Sequence, residues 1–254
     1  MASINELFEQ LSSGLASLAN AIRAKTGKTD NLTIEDMATE QDAVFDAGQE
    51  AYYDVIWDCI QNGGTATPEK IGIFQGEFWN DDTFRPKYDI VTATSSQYLF
   101  KKSRITDLAG ILERLGKILD TSAATNLFEM FRESTVTHVP TIDARKATEF
   151  SQVFMRCYSL VSIEKLILPA SAKYTRPFTD SGNLMDLTIE GAIGNTGFDV
   201  STCTKLTHDS LMSIINALES KTSGTWTVTL GTTNLAKLTD AEKAIATQKG
   251  WTLA

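Results

Sequence analysis

The sequence predicts an α+β protein that has a helical, coiled-coil-like N-terminal segment, then a short solenoid of repeats with parallel strands, then an α/β C-terminal cap. Two observations lead to this prediction. An apolar heptad pattern runs through the first 26 residues, and a phenylalanine followed by regularly spaced aliphatic residues recurs four times further along the chain. The predicted segments are an amphipathic heptad helix at 1–26, a second helix at 27–64, a connector and N-terminal cap at 65–95, the repeat solenoid at 96–190 and the C-terminal cap at 191–254.

The heptad pattern consists of large apolar residues spaced alternately by four and three. Its members are Ile4, Phe8, Leu11, Leu15, Leu18 and Ile22. A helix with such a stripe requires a partner that covers it. The partner is either the second helix of the same chain or further copies of the first helix in a parallel bundle. The second interpretation predicts a homo-oligomer that is joined through the N-terminal helices.

Turn and capping residues give the limits of the two N-terminal helices. Gly27 ends the first helix, and Thr33 can cap a second helix that runs to about Asn62. Pro86 argues against helix in the aromatic-rich stretch that follows. We therefore interpret 65–95 as a connector that covers the first repeat.

The repeat carries the most information. Phe100 and Phe131 are each followed by aliphatic residues at +5, +8 and +11, and Phe154 and Phe178 by aliphatic residues at +6 and +9. A single turn of a solenoid cannot bury its own faces, so successive turns stack and share a core. The predicted core is Phe100, Ile105, Leu108, Phe131, Val136, Val139, Phe154, Leu160, Ile163, Phe178, Leu184 and Leu187.

The spacing of the repeats is uneven. The last three phenylalanines are 23 and 24 residues apart, whereas the first gap is 31 residues. The extra length falls in 108–120, where the apolar residues are spaced as in a helix. Beyond residue 190 the pattern changes. There we expect a helix from Thr207, a strand over 226–230, a capping box at 239–242 and a last strand at 251–253.

Charge and composition exclude several classes of function. The chain carries 32 acidic and 23 basic residues, a net charge of -9, with no basic patch of the kind that binds nucleic acid. No run approaches the ~20 apolar residues of a membrane span, and the N-terminus lacks the features of a signal peptide. The three cysteines form no CxxC pair. We expect no cofactor, no metal and no membrane insertion.

Residues with catalytic chemistry are sparse. His208, Asp209 and Ser210 include the three residue types of a hydrolase triad, but triad members converge from separate segments, and this run is better explained as the first turn of a helix. The other histidine, His138, is expected on a strand, and the acidic run at 80–82 lacks the spacing of a calcium loop. No motif supports Glu77, Asp81 and Glu190 as glycosidase acids. We predict that there are no catalytic residues.

One unit resembles a known family. The sequence FMRCYSLVSIEKL at 154–166 is similar to the BspA-like leucine-rich repeat of bacterial surface antigens, with Phe154, Cys157, Ser159, Leu160 and Ile163 matching in order. The unit at Phe131 lacks the cysteine, and the unit at Phe178 has Gly182 near that place. The resemblance covers about 96–190 and implies a leucine-rich-repeat solenoid.

The flanking segments resemble proteins of phages and prophages from Firmicutes. They are LANAIRAKTGKTDNLTIEDMATE at 18–40, WNDDTFRPKYDI at 79–90 and LTDAEKAIATQKGWTLA at 238–254. Those relatives are minor structural or tail-associated proteins, which implies a virion protein of a tail appendage, made in the host cytoplasm. The resemblance implies structural or adhesion work, in which the helices assemble or dock and the repeats bind a host receptor or tail partner. The alternatives are an intracellular interaction module of a prophage and a glycan-degrading tail enzyme.

Overall fold

The computed structural model describes residues 79–82, 84, 86, 89–92 and 94–254. The predicted helices at 1–26 and 27–64 lie outside these residues, as does most of the predicted connector. The described part is mixed α+β. Its strands are β1 (Ile90–Val91), β2 (Leu119–Asp120), β3 (His138–Val139), β4 (Ile142–Asp143), β5 (Ser162–Leu168), β6 (Asp186–Gly191), β7 (Trp226–Val228) and β8 (Trp251–Leu253). Its helices are α1 (Leu108–Leu115), α2 (His208–Ala217), α3 (Thr232–Leu235) and α4 (Asp240–Gln248).

Parallel pairing organises the described residues. β1 pairs with β2, β7 pairs with β8, and β5 pairs with β3, β4 and β6, all in parallel register. Residues that pair on β5 are 23 or 24 positions apart in the sequence, which equals the later spacings of the repeat. The chain therefore stacks successive segments on one another. β3 and β4 pair with the two ends of β5, and Pro140, which has no N–H to donate, lies between them.

A column of aromatic rings fills the interior of this stack. Phe100, Phe131, Phe154 and Phe178 are at most 1% exposed. Their ring centroids are 5.1, 5.2 and 5.5 Å apart from one turn to the next, and their planes are within 9° of parallel. Phe84 lies edge-on against Phe100 at one end, and Phe198 lies edge-on against Phe178 at the other. The four repeated phenylalanines thus contact one another in sequence order.

A left-handed residue lies two positions before and two positions after each of the four stacked phenylalanines. These residues are Tyr98, Lys102, Glu129, Glu133, Gln152, Arg156, Arg176 and Asp180, with φ between 52° and 65°. The conformation costs roughly 1–2 kcal/mol for a residue other than glycine. Hydrogen bonds to the next turn hold it, since Lys102 N–H donates to Arg132 O and Glu133 N–H donates to Met155 O, both at 2.9 Å.

At the left-handed position two residues after each phenylalanine, the sign of the charge alternates from one turn to the next. Lys102 lies 3.7 Å from Glu133, Glu133 lies 3.4 Å from Arg156, and Arg156 lies 3.7 Å from Asp180. Partial burial raises the pKa of Glu133, but the charges of Arg132 and Lys102 outweigh that effect and hold the pKa below its usual value. Each turn therefore meets an opposite charge on its neighbour.

Parallel stacking continues beyond residue 190. Ile193 bridges to Leu218 and Asp199 bridges to Thr229, both in parallel orientation. A Cβ on Gly191 or Gly194 would lie 2.1 or 2.2 Å from a carbonyl oxygen of the preceding turn, so close approach explains these glycines. The segment after the repeat is therefore packed against the stack.

Helix α2 covers the edge of β6. Ser210 Oγ accepts a hydrogen bond from Leu187 N–H at 2.9 Å, and Ser213 Oγ accepts one from Ile189 N–H at 2.7 Å. An exposed strand edge would offer these N–H groups to another chain. The two serines therefore close the parallel sheet at β6.

Several elements predicted after the repeat are confirmed. Thr207 caps α2 through Ser210 N–H, and Thr239 and Glu242 form the capping box of α4. Strand β8 occupies the predicted 251–253, and β7 covers 226–228 of the predicted 226–230. The helix predicted within 108–120 is shorter, because Gly116 takes a left-handed conformation and ends α1 at Leu115.

Candidate surface groove

The twelve residues of the predicted repeat core are all buried. None of them is more than 2% exposed, so their side chains build the interior of the stack. The six residues of the predicted assembly seam, Ile4, Phe8, Leu11, Leu15, Leu18 and Ile22, lie outside the described residues. A binding surface must therefore be built mainly by other side chains.

The residues with catalytic chemistry are held apart or occupied. Ser210 Oγ is bonded to the backbone of the β6 segment, and His208 Nε2 lies 2.9 Å from Glu242 Oε1, on a different helix. Asp81 accepts the N–H of Thr106 at 2.7 Å, and Glu190 pairs with Lys165 at 3.1 Å. Glu77 lies outside the described residues. The sequence run 208–210 serves to begin α2 and close the sheet.

Two cysteines are structural. Cys157 and Cys203 are fully buried, and burial raises the pKa of each thiol to about 12. The Cys157 Sγ–H donates to the carbonyl of Phe131 on the preceding turn at 2.9 Å. A thiol so rarely ionised at neutral pH is a poor nucleophile. The third cysteine, Cys59, lies outside the described residues.

A groove arises where the first repeat is longer than the others. The side chain of Asp107 accepts a hydrogen bond from Gly110 N–H at 3.0 Å and caps the start of α1, which ends at Leu115. The chain then returns at β2, which lies beside β4. The turns that follow contain strand where this turn has the helix. The insertion therefore places α1 against β3, which pairs with β5.

The space between α1 and these strands has a volume of about 760 Å³, and we name it the α1 groove. Helix and loop residues form one wall, and β3, the Pro140–Thr141 link and β5 form the other. Its lining residues are Asp107, Ala109, Gly110, Leu112, Glu113, Lys117, Ile118, Leu119, His138, Val139, Pro140, Thr141, Ser162 and Glu164.

Carboxylates outnumber ammonium groups in the lining of the α1 groove. Three carboxylates, Asp107, Glu113 and Glu164, face one ammonium group, Lys117. Glu164 Oε2 accepts hydrogen bonds from the N–H and the hydroxyl of Thr141 at 3.1 and 3.2 Å. The side chains of Glu113 and Lys117 make no hydrogen bond or ion pair with any residue that the structure describes. The groove thus combines occupied acceptors, which fix its shape, with acceptors that a ligand can use.

His138 lies at the edge of the α1 groove. Its side chain is half exposed, with Nδ1 at 2.8 Å from Thr137 Oγ1 and at 3.9 Å from Asp107 Oδ1. The expectation that His138 lies on a strand is confirmed, since it begins β3. Sequence reasoning did not single out Glu113, Lys117 and Glu164. The signal that could have pointed to them is the gap of 31 residues between Phe100 and Phe131, which indicates an insertion in the first repeat.

Two further observations bear on this surface. Within 79–254, where described, no three or more His, Cys, Asp or Glu side chains gather in a way that could hold a metal ion. In the same residues, every helix falls short of the length and apolar character that a bilayer crossing requires.

Comparison with known proteins gives no match to a family model, a curated protein or a solved structure.

Proposed function

We propose that this chain is a non-enzymatic structural or adhesion protein of a phage tail, and that its stacked region is a leucine-rich-repeat solenoid which binds a tail partner or a host receptor. The observation that carries the proposal is the α1 groove, a cleft of about 760 Å³ on a stack of parallel turns. Stacked repeats offer extended, rigid surfaces for protein contact.

The chemistry of the groove favours binding over catalysis. Asp107 caps a helix and Glu164 bonds to the Thr141 link, so both carboxylates have structural partners. Ser210 and the thiols of Cys157 and Cys203 are bonded to backbone carbonyls inside the stack. Covalent catalysis would require a nucleophile beside a base that can accept its proton. The phage assignment depends on the resemblance of the segments at 18–40, 79–90 and 238–254.

In this proposal the N-terminal heptad seam joins copies of the chain, so that several grooves are displayed together. Several weak contacts made at once bind more tightly than one. Light scattering on the full chain should give the mass of an oligomer, and a chain that starts near residue 66 should give the mass of a monomer. A monomeric full chain would remove the multivalent part of the proposal.

Mass spectrometry of purified phage particles tests the assignment to the virion. The chain should appear in a constant ratio to a major tail protein after density-gradient purification, and deletion of residues 1–26 should abolish its incorporation. Particles that lack the chain, produced by cells that contain it, would contradict the proposal and favour an interaction module inside the bacterium. Release of new reducing ends from host wall polysaccharides would instead favour the enzyme alternative.

A further inference from the structure

We propose that the α1 groove binds an extended polypeptide segment that carries lysine or arginine side chains and is supplied by a partner protein. This inference rests on the proposed function, because it names the chemistry of the partner. Charge complementarity is its main support. The lining contains the carboxylates of Asp107, Glu113 and Glu164 against the single ammonium group of Lys117.

The carboxylates of the groove have capacity for a cation. Glu113 is exposed, and its carboxylate has no partner among the residues that the structure describes. Glu164 receives both Thr141 hydrogen bonds on Oε2, and Asp107 receives that of Gly110 on Oδ1. Their second oxygens accept no hydrogen bond from a described residue. An ammonium or guanidinium group on the ligand would supply charge-assisted donors to these oxygens.

The apolar part of the lining fits the stem of such a side chain. Ile118 is 58% exposed although it is a large aliphatic residue, and it lines the groove together with Pro140. Lysine and arginine lay their methylene groups along apolar surface while the charged end stays in polar surroundings. A basic side chain therefore covers Ile118 and reaches the carboxylates at the same time.

Two other classes of ligand fit less well. An anionic glycan would bring negative charge toward three carboxylates in a chain whose net charge is already -9. A divalent metal would need several ligands at short range, and no such group is found in the described part of the chain. A neutral glycan carries no charge that the three carboxylates would attract, so charge complementarity gives it no advantage over a basic peptide.

The experiment uses the full chain and a short fluorescent peptide in which lysine alternates with glycine, with binding followed by anisotropy. A matched peptide with glutamate in place of lysine is the control ligand. The lysine peptide should bind, and about 0.5 M salt should weaken its binding, since screening acts on exposed charges. The double change Glu113→Gln and Glu164→Gln should weaken binding by about tenfold. Glutamine at 164 keeps an oxygen acceptor for Thr141.

A second double variant controls for net charge. Asp209→Asn with Asp240→Asn removes the same charge from two fully exposed residues that do not line the groove, and the affinity for the lysine peptide should stay unchanged. Equal loss in both double variants would overturn the inference, as would equal binding of the lysine and glutamate peptides or no binding of either. A chain that is found in phage particles yet binds neither peptide would overturn the inference and leave the proposed function standing.

Discussion

The rings of Phe131 and Phe154 lie face to face, with centroids 5.2 Å apart and planes 9° from parallel, although the residues are 23 positions apart in the sequence. The backbones of the two turns are also joined, because Phe131 N–H donates a hydrogen bond to the carbonyl of Val153 at 2.8 Å. Each ring therefore occupies the space that the turns above and below leave open. Removal of one ring would leave a cavity that both neighbours border.

Truncation of either ring should destabilise the protein strongly. Phe131→Ala and Phe154→Ala should each lower the free energy of unfolding by ~3–5 kcal/mol, as buried phenylalanine truncations do. Urea denaturation measures this change. Phe128→Ala is the matched control, because Phe128 is only partly buried and touches Tyr98 edge-on at 5.8 Å. Equal effects at 128 and 131 would show that the column is not the main source of stability.

The left-handed residues beside the phenylalanines give a second prediction. Gln152 has a φ of 57°. Gln152→Val should lower the free energy of unfolding by about 1–2 kcal/mol, since a β-branched residue fits this conformation poorly. Gln152→Gly should be nearly neutral, because glycine adopts the conformation freely but loses more conformational entropy on folding.

The control for Gln152 is Lys146, an exposed residue outside the set with positive φ. Lys146→Val should change the free energy of unfolding by no more than about 0.5 kcal/mol, as surface substitutions usually do. Urea denaturation of the three variants supplies the comparison. A valine that is tolerated equally at 152 and 146 would contradict a left-handed conformation at 152.

Substitution of two glycines separates the effect of close approach between turns from the effect of backbone strain. A Cβ at Gly194 would lie 2.2 Å from the carbonyl oxygen of Ala170, whereas a Cβ at Gly116 meets no atom within 4 Å, although its φ is +61°. Gly194→Ala should therefore lower the free energy of unfolding by about 1–3 kcal/mol through steric overlap. Gly116→Ala should show only the cost of the left-handed conformation, about 1 kcal/mol. Denaturation curves that rank Gly116→Ala as the more harmful change would contradict the packing of residue 194 against the preceding turn.

The ion pair between α2 and α4 should make stability depend on pH. The hydrogen bond to Glu242 raises the pKa of His208 above the ordinary 6.5, and hydrogen bonds from Thr239 lower the pKa of Glu242 below the ordinary 4.5. The contribution of His208 is fully present below pH 6.5 and is lost as the pH rises through its raised pKa. The contribution of Glu242 is present above pH 4.5 and is lost as the pH falls through its lowered pKa.

The imidazole resonances of His208, followed by NMR as the pH changes, measure the pKa of this side chain directly. Glu242→Gln should move the pKa of His208 back toward its ordinary value, and His208→Ala should destabilise the protein more at pH 6 than at pH 9. A His208 titration that is unchanged in Glu242→Gln would show that the contact is absent in solution.

Part of this architecture can be predicted from the sequence because the residues that stack recur along it at intervals. The spacing of Phe100, Phe131, Phe154 and Phe178 corresponds directly to stacking, since residues one turn apart come into contact. The capping signals at Thr207 and Thr239 act through their own neighbours, so local sequence is enough to locate α2 and α4.

The remaining features depend on which turns meet and on small shifts of register. The contact of Glu164 with Thr141 joins residues 23 apart, and no local pattern marks either of them. The left-handed positions carry charged or polar residues instead of glycine, so the usual sequence signal is missing. The stack also continues past residue 190 with unequal spacings, as the bridges Ile193 to Leu218 and Asp199 to Thr229 show, and this hides the period.

The two serines of α2 have a consequence for how this protein can change in evolution. Apart from the contact of Ser210 with Thr207 at the start of the same helix, the hydroxyls of Ser210 and Ser213 bond to the backbone of the β6 segment. The closing helix therefore requires a strand edge of that shape and no particular side chains further back. A unit of about 24 residues could be duplicated or deleted ahead of β6 while the same closure remains in place. The number of turns, and with it the reach of the molecule, can therefore vary between descendants independently of how the stack ends.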